Sequence, residues 1–218
     1  MKDELGQIYE NRFSGHEKYR NEVWKILTNQ FFSRWIDKNA KVLDLGCGYG
    51  EFINNIQCQV RHAMDLNPNT QNHLTKEVIF HEQDCSKPWQ IAPESLDIIF
   101  TSNFFEHLPN KQMLNQTVKN IRNALKIGGK IIAMGPNIAA LGGKYWDFWD
   151  HHVALSSQSL CELMEIHNFI IEKSVDKFLP YNMVRERKKP LSLVHLYLKF
   201  PILWHFWGKQ FLIVAKKK

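Results

Sequence analysis

Seven short apolar runs are spaced along the chain, at residues 41–45, 61–66, 78–80, 96–101, 130–134, 169–175 and 210–215. None has the length of an ordinary helix. Their near-continuous apolar character suits strands covered on both faces. Helical patterns lie among them, at 51–57, 111–126 and 156–168. A further helix is predicted at 17–36, where Val23, Leu27, Phe31 and Trp35 recur at four-residue spacing. Strands alternating with helices predict an α/β fold built on a mostly parallel, seven-stranded sheet. The last two strands lack a clear crossover helix between them, which predicts an antiparallel pairing at one edge.

The 218 residues suit one compact domain with an appendage. With 44% apolar, 23% charged and 12% aromatic residues, the chain can bury a core, and wholesale disorder is excluded. The net charge of +6 is unevenly placed. Residues 185–218 carry nine Lys/Arg against one acid, whereas residues 1–184 carry a net −2. The basic character therefore belongs to the tail. The four cysteines, at 47, 58, 85 and 161, form no C-x-x-C pair, so no zinc or redox motif is indicated, and reduced thiols are expected. The first residues, MKDELGQIYENRF, are polar and hold no apolar core of a signal peptide, which leads us to expect a cytoplasmic protein. The apolar stretch 190–207 is interrupted by Lys199, Pro201 and two histidines, a poor membrane span.

The first predicted strand stops at Asp44-Leu45-Gly46-Cys47-Gly48-Tyr49-Gly50. Glycines at a strand-to-helix turn permit positive φ and close approach of the backbone to a ligand. In open α/β sheets ligands bind beyond the carboxyl ends of the strands. The spacing is G-x-G-x-G, and the position where a dinucleotide fingerprint needs its third glycine holds Glu51. The acid at 44 would repel a pyrophosphate and suit a cationic, amino-acid-like cofactor.

These residues resemble the first motif of the class I S-adenosylmethionine-dependent methyltransferases. Four more segments resemble later motifs of that family in the same order: Asp65, Asp84-Cys85, SLDIIFTSNFFEHL at 95–108 and NALKIGGKIIAMGP at 123–136. The resemblance covers about residues 40–176 and 209–216. It implies a Rossmann-like, doubly wound core at 40–176 and 209–218, an N-terminal helical cap at 1–39 and a basic, aromatic insertion or lid at 177–208. It implies S-adenosylmethionine as the cofactor, held by Asp44, Gly46, Cys47, Gly48 and Gly50. Asp65 and Leu66 would lie at the ribose, Asp84 and Cys85 at the adenine, and Asn103 and Phe104 near the sulfonium. Arg12, Tyr19 and Arg20 are candidates for the cofactor's carboxylate or an anionic substrate. The segments at 9–13, 19–24 and 148–156 and the basic, aromatic C-terminal insertion resemble a narrower branch associated with bacterial glycan assembly.

Methyl transfer from a sulfonium is an in-line displacement that mainly needs alignment. A hydroxyl acceptor also needs its proton removed, a task suited to an imidazole. His107, after the fourth strand, and His151 and His152, after the aromatic run 145–149, are the candidate bases. No metal-ligand pattern is read from the sequence. A small-molecule or glycan-type hydroxyl acceptor is expected. A nucleic-acid substrate is disfavoured because the fourth motif lacks a Pro-Pro-aromatic sequence and the positive charge is confined to the tail. A protein substrate, or a non-catalytic cofactor-binding regulator at the membrane, is the alternative. Residues 185–218 combine Lys and Arg with Trp and Phe, as a segment at an anionic membrane surface does. A lid packed on the catalytic domain is the other reading of that tail.

Overall fold

The computed structural model describes residues 15, 17–181 and 188–218. Arg12 and the 9–13 segment lie outside the described residues, as do Arg185 and Arg187 of the basic tail. All seven expected strands are present: β1 (Lys41–Leu45), β2 (Val60–Asp65), β3 (Val78–Glu82), β4 (Leu96–Ser102), β5 (Leu125–Pro136), β6 (Phe169–Val175) and β7 (Gln210–Lys217). They form one sheet in the order β3-β2-β1-β4-β5-β7-β6. β1 pairs parallel with both β2 and β4, and the parallel ladder continues to β3 and β5. β7 runs antiparallel to both β5 and β6. The reversed strand thus sits one place in from the edge, and β6 is the edge itself. From β1 the chain winds outward first through β2 and β3, then through β4 and β5. That reversal opens a crevice at the carboxyl ends of β1 and β4, where ligands of such sheets bind.

The helices are α1 (Glu17–Gln30), α2 (Glu51–Asn55), α3 (Lys111–Ala124), α4 (Ile138–Leu141), α5 (Ser157–Ile166), α6 (Leu191–Lys199) and α7 (Ile202–Trp207). Side-chain alternation along the strands sends apolar residues to both faces. Leu43, Ile99, Ile131 and Ile213 pack on one side with Val118 and Ile121 of α3 and Leu160 and Met164 of α5. Val42, Phe100, Ile132 and Leu212 pack on the other with Leu27 of α1, Phe52 of α2, Leu198 of α6 and Trp204 of α7. Two elements depart from the periodicity. The first helix ends at Gln30 and tightens into a 3-10 turn at Phe32–Arg34. That turn lets the adjacent Phe31 and Phe32 both enter the core, at 1% and 0% exposure. α3 stops at Ala124 because Leu125 already pairs with Leu96, across a register shift before Ile98.

Candidate active site

The turn between β1 and α2 holds Gly46, Gly48 and Gly50 at φ of 68°, 56° and 74°. These left-handed values strain any residue with a Cβ. A Cβ on Gly46 would lie 2.2 Å from the Phe104 ring, and one on Gly50 would lie 2.4 Å from Leu74. Gly46 and Cys47 donate their N–H groups to the Met64 carbonyl, at 2.8 and 3.2 Å, which ties the turn to β2. Asp65 completes the tie. Its Oδ2 accepts the Gly48 N–H and its Oδ1 the Asn67 N–H, both at 2.9 Å. Leu66, next along, is 42% exposed and forms part of the rim.

Asp44 lies beneath the turn, 3% exposed. Burial raises its pKa well above the usual carboxylate range, and the nearby Glu51 and Asp65 charges raise it further. A buried acid among like charges is relieved by a cation. Asn103, after β4, has φ 50° and donates its N–H to the Met134 carbonyl at 2.9 Å. Its Nδ2 donates to Ser102 Oγ, while its buried Oδ1 has no hydrogen-bond partner among the described residues. An acidic floor and an open acceptor at adjacent strand ends fit the ammonium and hydroxyl donors of an amino-acid nucleoside.

Other expected residues are engaged locally. Asp84 Oδ1 accepts both the N–H and the hydroxyl of Ser86, at 2.8 and 2.7 Å. The Cys85 thiol lies 3.2 Å from Thr117 Oγ1, and burial pushes it up to about 12. The Cys47 thiol is likewise raised by burial, so neither is a ready thiolate. Arg20 pairs with Glu51 at 2.7 Å, and the Tyr19 hydroxyl accepts the Lys189 N–H at 3.2 Å.

A second group of polar side chains follows β4. Phe105–His107 form a 3-10 turn. The Glu106 carbonyl accepts the N–H groups of His152 and Val153, at 2.8 and 3.1 Å, which draws the 148–153 loop onto the turn. His107 Nδ1 lies 3.1 Å from both Asp150 Oδ2 and the Asp150 carbonyl. Both are acceptors, so Nδ1 carries the proton and donates it. His107 Nε2 lies 3.8 Å from Glu106 Oε1. Burial pulls the His107 imidazole down, but the Asp150 hydrogen bond and the Glu106 charge outweigh it and its pKa is raised. His151, 5% exposed, meets the His107 ring edge-on at 5.0 Å and stacks on Phe148. Its Nε2 is 3.4 Å from the Tyr181 hydroxyl. The structure thus joins His107 and His151 and leaves His152 exposed, outside the cluster. It adds Glu106, Asp150 and Tyr181, which sequence reasoning missed. The first two adjoin the histidines in the E-H and D-H pairs. Tyr181 carries no sequence signal.

Two surface hollows lie away from these groups. One of ≈ 430 Å³ is lined by Glu94, Arg122 and Lys217, and one of ≈ 720 Å³ by Thr28 and Trp35. Neither borders the glycine turn.

The profile of a methyltransferase domain family matches residues 16–174. No curated protein matches the chain. The fold is similar to an S-adenosylmethionine-dependent methyltransferase of Archaeoglobus fulgidus, with TM-score 0.68 and 16% identity over 98% of this chain and 99% of that one. It is similar to a Thermotoga maritima S-adenosylmethionine-dependent methyltransferase described as a possible histamine N-methyltransferase, with TM-score 0.69 and 15% identity over 96% and 98%. A Haloferax volcanii chain, described as a methyltransferase in complex with the Trm112 methyltransferase activator, gives TM-score 0.67 and 14% identity over 95% and 94%. The family match spans well over half of the sequence, and with the glycine turn and acids at the strand ends it identifies the chain as a member of the methyltransferase domain family, an enzyme that uses S-adenosylmethionine.

Proposed function

We propose that the protein methylates a hydroxyl of a small molecule or glycan precursor, and that the hydroxyl proton is taken up at the Glu106–His107–His151 cluster. The cluster carries this reading: Glu106 and His107 follow closely on Asn103 and Phe104, and His151 joins them from the loop after β5. An amine acceptor needs far less proton management than an alcohol. When bound, the cofactor supplies an electrophilic methyl on a sulfonium. The chain's own residues then hold, orient and deprotonate. Gly46, Cys47, Gly48 and Gly50 bring the backbone close. Asp44 and Asn103 receive the amino-acid end, Asp65 and Leu66 the ribose, and Asp84 and Cys85 the adenine edge. Phe104, pressed on Gly46, sets the depth of the crevice. Asp150 keeps His107 in one tautomer.

The glycan-assembly reading, with an acceptor carried at a membrane, is favoured by one further observation. α6, α7 and the turn between them expose Leu193, Leu196, Phe200, Ile202, Phe206 and Trp207 beside lysines. Among the described residues no helix is long and apolar enough to cross a membrane, so the contact would be peripheral.

The test is label transfer from methyl-labelled cofactor to fractionated cell extract and to simple sugar and lipid-linked sugar alcohols. The expected product is an alkali-stable methyl ether. Label found only in amines, protein or nucleic acid overturns the hydroxyl assignment.

A further inference from the structure

We propose that Glu106, His107 and His151 hold a divalent transition-metal ion that faces the methyl acceptor. The inference deepens the reading of this cluster as the acceptor end of the site. One ligand atom from each residue lies within 4.8 Å of the other two. Ligands about 2.0–2.2 Å from a shared ion stand roughly 3–3.6 Å apart, so rotation of the side chains by about 1 Å closes the site.

The donor set points to the kind of ion. Two imidazoles and one carboxylate suit Zn²⁺, Mn²⁺, Fe²⁺ or Co²⁺, whereas Mg²⁺ and Ca²⁺ favour sites made of oxygens. The surroundings are those of a metal-bound imidazole. His107 gives its Nδ1 proton to Asp150, which directs Nε2 to the side where Glu106 lies. A carboxylate or carbonyl on the second nitrogen fixes the tautomer and orientation of a metal-bound histidine. His151 is preset as well, stacked on Phe148 at 5.0 Å and met edge-on by Tyr145 at 4.8 Å. Glu106 is 1% exposed, and a carboxylate buried to that depth is stabilised by an adjacent cation.

Position gives the ion its use. All three ligands belong to the loops after β4 and β5, at the end of the sheet that holds the glycine turn. Three protein ligands leave coordination positions open. An acceptor oxygen occupying one would be oriented and made more acidic. Its proton would pass to the Glu106 carboxylate oxygen that is not on the ion, so that uptake at this cluster falls to Glu106 when the ion is bound.

The experiment uses the full-length protein, stripped with chelator and titrated separately with Mn²⁺, Zn²⁺ and Co²⁺ by calorimetry, with the visible absorption of bound Co²⁺ as a spectroscopic signature. One equivalent should bind. Glu106→Gln and His151→Ala should each weaken binding by more than about 100-fold, and Asp150→Asn by about 10- to 100-fold through loss of the His107 support. His205→Ala, on an exposed helix face, should leave it unchanged. Thermal melts confirm that the variants fold, and the near-isosteric Glu106→Gln guards against a collapse of the loop. No binding, or binding indifferent to Glu106, His151 and Asp150, marks an adventitious ion at most and overturns the proposal. Methyl transfer is assayed in parallel. A bound ion without hydroxyl methylation removes the hydroxyl reading and keeps the metal site, and hydroxyl methylation with no bound ion does the reverse.

Discussion

At the residue scale, the site divides into positions whose type dictates their place and positions whose company depends on a distant loop. Gly46, Gly48 and Gly50 were legible because left-handed φ at a strand end demands glycine, and Asp44, Asp65 and Asn103 because each lies at or next to the carboxyl end of a strand. Glu106 and Asp150 were not. Their meeting depends on main-chain bonds from His152 and Val153 to the Glu106 carbonyl, which no residue type announces. The Asp65 oxygens pin the N–H groups of Gly48 and Asn67, and on the proposed reading the same carboxylate serves the ribose. Asp65→Ala should therefore weaken cofactor binding by about 1.5–3 kcal/mol, roughly tenfold to a hundredfold, and also lower the melting temperature. Calorimetry showing full affinity in this variant would remove Asp65 from the cofactor site. His107→Ala should cost about 10²–10⁴ in turnover and leave cofactor affinity nearly intact. Undiminished turnover would show that the cluster does not serve the acceptor.

At the element scale, strand identity was readable and strand position less so. Phe211–Ala215 in β7 are all buried, whereas β6 mixes Phe169 with exposed Glu172 and Lys173. A run buried on both faces belongs inside the sheet, and a half-polar one belongs at its edge. The sequence shows that contrast, but chain order alone suggests the opposite placement. The β2–β3 pair carries a pH response of its own. His62 Nδ1 lies 3.0 Å from His81 Nε2, with the rings stacked at 5.2 Å. Burial lowers the His62 pKa to about 4, with His81 and Lys41 adding to the effect, and burial lowers His81 as well. Both folded values lie below the unfolded one near 6.5, so the unfolded chain binds more protons between about pH 4 and 6.5. Stability contributed by the neutral pair is full above that window and is lost as the pH falls through it. Both rings are half-buried, and solvent screening reduces the loss to about 1 kcal/mol. Urea unfolding at pH 7 and pH 5 should show it, and His62→Gln should flatten the difference. An equal slope in the variant would place the response elsewhere.

At the scale of the whole molecule, the tail reverses the charge of the body and caps one face of the sheet. Trp204, 8% exposed, packs against Phe31 at 5.7 Å and Phe178 at 5.0 Å, and its Nε1–H donates to the Tyr197 carbonyl. His195 Nδ1 reaches Gln30 Oε1 at 2.8 Å, so α6 is fastened to α1 as well. Trp204→Ala should destabilise the fold by about 3–5 kcal/mol, read from denaturant midpoints. Among the described residues the other face of the tail has no such cover. Leu193 and Leu196 on α6 and Phe200 just past its end stand three and four residues apart, each about half exposed, and Ile202, Phe206 and Trp207 continue the apolar surface on α7. Lys188, Lys189 and Lys199 flank this surface, and residues 185–218 carry a net +8. Aromatic and aliphatic side chains rimmed by lysines suit the headgroup region of an anionic bilayer, where each cation adds about 1 kcal/mol. Fastened to α1 on one side, the tail would bring the lipid surface to the body without leaving it. The protein should therefore sediment with phosphatidylserine-containing vesicles at low salt and be released as ionic strength rises. Ile202→Glu combined with Phe206→Glu should abolish sedimentation while cofactor binding persists, because both side chains are exposed and lie outside the glycine turn. Protein that stays in the supernatant at low salt would leave the tail as a cap on the domain, with its exposed apolar face serving something other than lipid.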